Sequence, residues 1–226
     1  MDILSQIKNQ IIVSVQAMPS EPLYEEQCLL AMMKSVVNGG AKALRLAGSR
    51  DIKNAKLYFK NIPVIGITKP EKLPIDWKNR VYITPAIEDA KKIIDSGADI
   101  IAFDATQRHR EKDSLASIID FVKNNKKIAM ADISTFDEGI KARDFGADVI
   151  STTLSGYTKE SDSGSEEPDF VLLDRLVKEL DCPVILEGKV WTPEQVDKAF
   201  DLGAHSVVIG SAITRPQLIV KRFCNR

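Results

Sequence analysis

Cysteine and histidine are scarce in this sequence, and their scarcity excludes several kinds of active site. The 226 residues include three cysteines and two histidines. Cys28, Cys182 and Cys224 are widely separated and form no CxxC pair, so neither a disulfide framework nor a structural zinc site is expected. His109 and His205 lack the spacing of metal ligands, which argues against a histidine-based metal centre.

Net charge and long apolar runs are also nearly absent. Lys and Arg number 31 against 32 Asp and Glu, so electrostatics give no reason to expect nucleic acid or a membrane as a partner. No apolar run approaches the roughly 20 residues of a transmembrane helix. The opening residues MDILSQIKNQ lack the pattern of a signal peptide. We therefore expect a globular protein that acts in the cytoplasm.

Short apolar runs alternate with amphipathic stretches along the chain. Runs of this kind predict strands, and the stretches between them predict helices, an alternation that is typical of a parallel sheet. The predicted strands are Ile11–Val15, Ala43–Leu46, Val64–Thr68, Ile100–Ala105, Ile128–Ile133, Val149–Leu154, Val184–Leu186 and Ser206–Ala212. The predicted helices are Tyr24–Asn38, Ile87–Asp95, Ser114–Asn124, Phe136–Asp144, Phe170–Glu179 and Pro193–Asp201.

The dipeptide Gly-Ala precedes every second predicted strand. It begins at Gly40, Gly97, Gly146 and Gly203, where a glycine with positive φ would end the preceding helix. Four such dipeptides, each about two βα units from the next, predict eight βα units that close into a (β/α)8 TIM barrel. The residues after its last two strands, described below, indicate a barrel of the phosphate-binding type. An open doubly wound sheet is the alternative, but no GxGxxG motif follows the first strand. We expect one domain over residues 1–226.

Polar and ionisable residues stand where the predicted strands end. Active sites of (β/α)8 barrels lie at the carboxyl ends of their strands, so these residues are candidates for the site. They are Gln16, Arg45, Lys69, Asp104, Asp132, Thr153, Ser155, Glu187, Gly210 and Ser211. Lys69 and Glu187 follow opposite strands and would face each other across the mouth, where they could move a proton on a ligand. The alternative is a buried salt bridge with a structural role alone.

The last two strands are followed by residues that suit a phosphate group. Gly188 follows the seventh strand, Gly210 and Ser211 follow the eighth, and Arg215 opens the next helix. Barrels often bind phosphate with these loops and a helix N-terminus, and glycine lets the backbone approach the anion. Arg215 would add a bidentate donor. The alternative is a capped helix start with a solvated arginine.

The segment Lys159–Asp169, with the sequence KESDSGSEEPD, is acidic and rich in serine. Because it follows the sixth predicted strand, it would lie near the mouth of the barrel. It could be a lid over the site or a solvated loop, and the sequence leaves both interpretations open.

Several blocks of sequence resemble the bacterial N-acetylmannosamine-6-phosphate 2-epimerases, in the same order and over nearly the whole chain. The most specific are IIVSVQAMPSEPL, GAKALRLAG, PVIGITK, VYITP, DIIAFDATQR, MADIST, TTLSGYT, LEGKVWTPEQ and GAHSVVIGSAITRP. The resemblance implies a (β/α)8 isomerase without a cofactor. Such an enzyme interconverts the 6-phosphates of N-acetylmannosamine and N-acetylglucosamine, a step in the catabolism of sialic acid and amino sugars.

The same resemblance assigns roles to individual residues. Lys69 and Glu187 match the family's catalytic lysine and glutamate. The positions that match its substrate contacts are Gln16, Arg45, Asp132 and Arg215, and we add Thr153 because it ends the sixth strand. The expected partner is a small sugar phosphate. If the chain associates, a homodimer is the assembly to expect, because closed two-fold pairs are common.

Inversion at C2 requires that a proton leave next to the C1 aldehyde and return on the opposite face. The ordinary pKa of lysine is about 10.4, so Lys69 would need burial or a neighbouring cation such as Arg45 to act as a base near neutral pH. Two alternatives stay open. One is another sugar-phosphate barrel enzyme, such as a lyase, a decarboxylase or a synthase, and the other is a non-catalytic sugar-phosphate sensor.

Overall fold

The apolar runs of the sequence form parallel strands that pair in chain order. The computed structural model describes residues 2–73 and 75–224. Its strands are β1 (Gln10–Val15), β2 (Ala43–Ala47), β3 (Val64–Ile67), β4 (Ile100–Asp104), β5 (Ile128–Asp132), β6 (Val149–Ser151), β7 (Val184–Glu187) and β8 (Ser206–Ile209). Because β8 also pairs with β1, the sheet closes into a barrel, and the predicted fold is confirmed.

Helices connect the strands and surround the barrel. They are α1 (Ile3–Ile7), α2 (Glu26–Asn38), α3 (Ser49–Tyr58), α4 (Ile87–Asp95), α5 (Leu115–Asn124), α6 (Phe136–Asp144), α7 (Phe170–Glu179), α8 (Pro193–Asp201), α9 (Ser211–Thr214) and α10 (Pro216–Cys224). A short 3-10 helix covers Trp77–Asn79. Capping boxes begin α6 at Thr135 and α8 at Thr192. Among residues 2–73 and 75–224, no helix is long and apolar enough to cross a membrane.

Side chains of the strands alternate between two apolar clusters. On β4, Ile101 and Phe103 pack in the cluster between the sheet and the helices, whereas Ile100 and Ala102 belong to the cluster inside the barrel. Successive strand residues point to opposite faces, which explains the alternation. Ile7 of α1 joins the inner cluster. The same alternation decides which residues at the carboxyl ends of the strands point into the mouth of the barrel.

The four glycines that precede alternate strands have the predicted backbone conformation. Their φ angles are +107° at Gly40, +97° at Gly97, +95° at Gly146 and +91° at Gly203. A residue with a side chain adopts this region at a cost, so glycine here permits the chain to leave a helix and enter a strand within a few residues.

The sequence prediction differs from the structure in several places. The sixth strand is predicted to reach Leu154 but ends at Ser151, and the short helix α1 is not predicted. Helix α3 was not predicted, because SRDIKNAKLY is strongly polar and buries only Asp51, Ile52 and Ala55. The eighth strand was predicted to reach Ala212, but it ends at Ile209. Gly210 turns the chain there, and the apolar residues that follow belong to the short helix α9.

Candidate active site

The alternation that fills the barrel also directs polar side chains to its carboxyl end. Lys69 lies two residues after Ile67, and Glu187 lies two residues after Ile185. Both isoleucines belong to the inner cluster. Because strand residues two apart share a face, Lys69 and Glu187 are presented to the interior at the mouth.

A cavity of about 460 Å³ opens at this end of the barrel. Most of the predicted site residues line it, namely Gln16, Lys69, Thr153, Glu187, Gly188, Gly210, Ser211 and Arg215. They come from both sides of the barrel, and the fold therefore brings the predicted proton-transfer residues and the predicted phosphate-binding residues to one cavity.

Arg45 and Asp132 do not line this cavity. Their side chains are 1% and 0% exposed, and Arg45 Nη2 lies 2.6 Å from Asp132 Oδ2. Arg45 Nη1 donates to Asp132 Oδ1 at 3.2 Å and lies 3.2 Å from Glu187 Oε2. The pair is therefore buried behind Glu187, and its direct contact with a substrate stays a prediction.

The hydroxyl of Thr153 lies within hydrogen-bond distance of two carboxylates, those of Asp132 and Glu187. Its Oγ1 lies 2.7 Å from Asp132 Oδ1 and 3.1 Å from Glu187 Oε2. Ser151 Oγ is a third neighbour at 2.9 Å. A hydroxyl has one proton to donate, so it cannot donate fully to both carboxylates. A proton on Glu187 would satisfy this arrangement, because the acid could then donate to the hydroxyl.

The Lys69 side chain has a lowered proton affinity. The residue as a whole is exposed, because the cavity is open to water. Protein atoms around the ammonium group remove part of its hydration, and the positive charges of Arg45 and Arg215 act in the same direction. Glu187 and Asp132 oppose them, and the balance lowers the pKa of Lys69 to about 8.

Glu187 shows the opposite shift. Burial raises the pKa of its carboxyl group, and the negative charge of Asp132 raises it further against the opposing charges of Arg45 and Lys69. A lysine with a lowered pKa and a glutamate with a raised pKa differ less in proton affinity than the same side chains do in water. The cavity thus contains one group suited to accept a proton and one suited to donate it.

The β7 and β8 end of the cavity has the features of an anion site. Gly188 has a φ of +114°, and Ser211 begins α9 directly after Gly210. Backbone N–H groups in the first turn of a helix lack partners within that helix. Arg215 follows α9 and places its guanidinium at the same end, where Nη2 lies 3.1 Å from Glu21 Oε2.

Other residues of the cavity wall were not predicted. They are Ser14, Tyr82, Ile83, Leu154, Tyr157, Lys189, Val190, Trp191, Val208, Thr214 and Leu218. Ser14 could have been found, because it lies two residues before Gln16 on the same face of β1 and accepts a 2.8 Å hydrogen bond from its side-chain amide. Tyr82 follows no predicted strand, so strand ends gave no signal for it.

Besides Arg45 and Asp132, two more of the strand-end candidates do not line the cavity. Asp104 is fully buried and pairs with Arg108, while its Oδ1 accepts a 2.6 Å hydrogen bond from Thr106. Ser155 donates to Asp169 Oδ2 at 2.7 Å, next to the start of α7. The side chains of Asp104 and Ser155 are therefore bound to other protein groups outside the cavity wall.

The acidic loop 159–169 forms part of the cavity wall. Glu166 lines the cavity. The loop is connected to its neighbours by Lys78, whose Nζ lies 2.9 Å from Asp162 Oδ2, and by Lys189, whose Nζ donates to the Ser165 carbonyl at 2.7 Å. These contacts join it to the chain segments that follow β3 and β7.

Metal ligands do not cluster in the described part of the chain. Within residues 2–73 and 75–224, no group of three or more His, Cys, Asp and Glu side chains could hold a metal ion.

Comparison with known proteins identifies close relatives over the full length of the chain. The NanE family model, described as "Putative N-acetylmannosamine-6-phosphate epimerase", matches residues 29–226. A protein of Clostridioides difficile (strain 630), named "Putative N-acetylmannosamine-6-phosphate 2-epimerase", is 46% identical over 221 residues, which are 97% of this chain and 96% of the relative. A protein of the same name from Caldanaerobacter subterraneus subsp. tengcongensis is 43% identical over 99% of this chain and 93% of the relative.

A solved structure shares the fold closely. "Structural and biochemical characterization of the N-acetylmannosamine-6-phosphate 2-epimerase from Clostridium perfringens" describes a chain with a TM-score of 0.93 and 42% identity, and the match covers 100% of this chain and 96% of that chain. With a family model that spans residues 29–226 and relatives that match almost end to end, the chain belongs to the N-acetylmannosamine-6-phosphate epimerase family.

Proposed function

We propose that this protein is an isomerase that interconverts N-acetylmannosamine 6-phosphate and N-acetylglucosamine 6-phosphate, in the catabolism of sialic acid and amino sugars. The observation that carries the proposal is the presence of Lys69 and Glu187 in one cavity, with pKa values shifted toward each other. The family to which the chain belongs supports the choice of substrate. A charged sugar phosphate does not cross a bilayer unaided, which favours the cytoplasm as the place of action.

The reaction consists of a proton that leaves C2 and a proton that returns. The two sugars differ only in the configuration at C2. In the open-chain form C1 is an aldehyde, so the electron pair left by the C2 proton is delocalised onto the C1 oxygen. Return of a proton to the opposite face of C2 gives the epimer. The balance of atoms and electrons needs no oxidant and no reductant.

Lys69 and Glu187 carry the proton transfer in this proposal. Because its pKa is about 8, part of the Lys69 population is neutral near neutral pH and can accept the C2 proton. Glu187, whose pKa is raised, retains a proton more readily than an exposed glutamate does. Arg45, which is paired with Asp132, contacts Glu187. Gln16 and Thr153, which line the cavity, bind hydroxyl or acetamido groups of the sugar in this proposal.

The phosphate group binds at the other end of the cavity in this proposal. Gly188, Gly210 and Ser211 present backbone to the anion, and Arg215 adds a charged donor. A phosphate fixed there holds C2 between Lys69 and Glu187, which lowers the entropic part of the activation barrier.

The test is to incubate the protein with N-acetylmannosamine 6-phosphate and follow the anomeric proton signals by NMR. The proposal expects N-acetylglucosamine 6-phosphate to appear until the two epimers reach equilibrium. Binding without turnover would instead indicate a sugar-phosphate sensor. Cleavage of the sugar, with a covalent adduct at Lys69 trapped by borohydride, would indicate a lyase.

A further inference from the structure

We infer that Glu21 is a positioning residue for phosphate binding, because its carboxylate holds the Arg215 guanidinium at the rim of the cavity. The inference rests on the proposed function, in which Arg215 binds the 6-phosphate of the substrate. It adds to that function a residue of the loop between β1 and α2, far from Arg215 in the sequence.

Both carboxylate oxygens of Glu21 have partners. Oε2 lies 3.1 Å from Arg215 Nη2 and accepts a 2.6 Å hydrogen bond from the backbone N–H of Met18. Oε1 accepts a 2.9 Å hydrogen bond from Gln217 Nε2. A carboxylate held at both oxygens has one orientation, so it can fix the position of the arginine it contacts.

The backbone of Glu21 is held as well. Its N–H donates to the Met18 carbonyl at 2.8 Å, and its carbonyl accepts from the Tyr24 N–H at 3.0 Å. Glu21 therefore belongs to a hydrogen-bonded turn, and its side chain joins this turn to the start of α10. The contact is partly shielded from water, because the Arg215 and Glu21 side chains are 30% and 18% exposed.

Glu21 contacts the Arg215 guanidinium from outside the cavity, and this position determines how Glu21 affects a bound phosphate. Arg215 lines the cavity and Glu21 does not. The carboxylate thus contacts the guanidinium without forming part of the cavity wall. A free arginine side chain samples many rotamers, and an anchored one loses less conformational entropy when it binds an anion. A carboxylate near a phosphate also repels it, so positioning and repulsion predict changes of opposite sign when the carboxylate is removed.

The experiment compares Glu21→Gln with Glu25→Gln. Both substitutions remove one negative charge from the same segment of chain, but Glu25 is exposed and has no contact with Arg215. Kinetics are measured with the sugar phosphate as substrate and with inorganic phosphate as a competitive inhibitor. For Glu21→Gln we expect the KM and the phosphate inhibition constant each to rise roughly fivefold, with kcat within about twofold of the parent value. Glu25→Gln should change none of the three.

A second pair of variants tests whether the effect passes through Arg215. In an Arg215→Gln background, Glu21→Gln should change neither KM nor the phosphate constant further. Circular dichroism verifies that each variant is folded. The inference is overturned if Glu21→Gln leaves both constants unchanged or lowers them, or if its effect is the same size in the Arg215→Gln background.

Direct phosphate binding separates this inference from the proposed function. Titration calorimetry with inorganic phosphate needs no turnover. Weaker phosphate binding in Glu21→Gln, in a protein that does not epimerise the sugar, would support the role of Glu21 and reject the proposed reaction. Phosphate binding that is unaffected by Arg215→Gln would reject the inference whatever the reaction is.

Discussion

Arg45 Nη2 lies 2.6 Å from Asp132 Oδ2, so β2 and β5 are joined by an ion pair across the interior of the barrel. The two side chains are 1% and 0% exposed. A buried pair of this kind gives little net stability, but the loss of one partner leaves the other charge without compensation. Since Arg45 also lies 3.2 Å from Glu187, the same cation connects the barrel interior to the wall of the cavity.

Replacement of Arg45 by methionine tests this connection. Arg45→Met leaves Asp132 buried without its cation, and we expect the free energy of unfolding to fall by about 3–5 kcal/mol. Urea unfolding measures the change. The double variant Arg45→Met/Asp132→Leu removes both charges and should recover part of the loss. A single variant as stable as the parent would contradict the assignment of the pair as a buried, mutually dependent unit.

The pH dependence of kcat/KM should report the ionisation of Lys69. In this account Lys69 acts as the neutral amine and Glu187 as the protonated acid, so kcat/KM should pass through a maximum as the pH rises, and one limb of the profile should lie near pH 8, the pKa of Lys69. Arg215→Gln removes a charge that lowers the pKa of Lys69, so that limb should move to higher pH. The control is Arg222→Gln, which removes a cation that lies over the Trp191 ring. A limb near pH 8 that stays in place in Arg215→Gln would contradict the electrostatic account.

The proposed binding of phosphate at the β7 and β8 end of the cavity can be tested at Gly188. Its φ is +114°, and Gly40, which precedes β2, has a similar φ of +107°. A Cβ at Gly188 would meet its nearest neighbour at 3.7 Å, and one at Gly40 would meet none within 4 Å. Gly188→Ala and Gly40→Ala should therefore each lose about 1–3 kcal/mol of stability through backbone strain.

Only Gly188→Ala should also raise the KM for the sugar phosphate, because the strained backbone there forms part of the cavity wall. Thermal unfolding and steady-state kinetics on both variants make the comparison. Equal KM values in the two variants would remove Gly188 from the phosphate site.

Thr153 offers a test of the hydrogen bonds that connect the two carboxylates. Thr153→Val keeps the shape of the side chain and removes the hydroxyl that lies 2.7 Å from Asp132 and 3.1 Å from Glu187. Because a hydrogen bond to a charged group contributes about 1.5–3 kcal/mol, we expect kcat/KM to fall at least about tenfold. Thr158→Val, whose hydroxyl contacts Ser134 and Ser161, is the matched control. Equal activity losses in both variants would show a general packing effect instead.

Much of the site follows from strand order and the period of two. Those two rules suffice to bring Lys69 and Glu187 to one cavity, because each ends a strand whose inner residues are apolar. These two rules predict where the backbone lies, but they do not predict where the end of a long side chain lies. Arg45 lies in the middle of β2, and its guanidinium pairs with Asp132 and leaves the cavity wall to other residues.

Other features depend on contacts between distant parts of the chain. Nothing in the local pattern around Glu21 indicates its contact with Arg215, since the two residues belong to opposite ends of the sequence. Asp104 has the same strand-end position as Asp132 but pairs with Arg108. Helix α3 was missed because its few buried residues give too weak an apolar pattern against its many charges.

The most direct test of the account is the incorporation of solvent deuterium at C2 of the sugar phosphate. In D2O the parent protein should incorporate deuterium as it epimerises the substrate. Lys69→Ala and Glu187→Ala should bind the sugar phosphate, because the proposed phosphate-binding residues are intact, but they should neither incorporate deuterium nor epimerise. Deuterium incorporation and turnover near the parent rate in either variant would contradict the claim that both side chains carry the proton transfer.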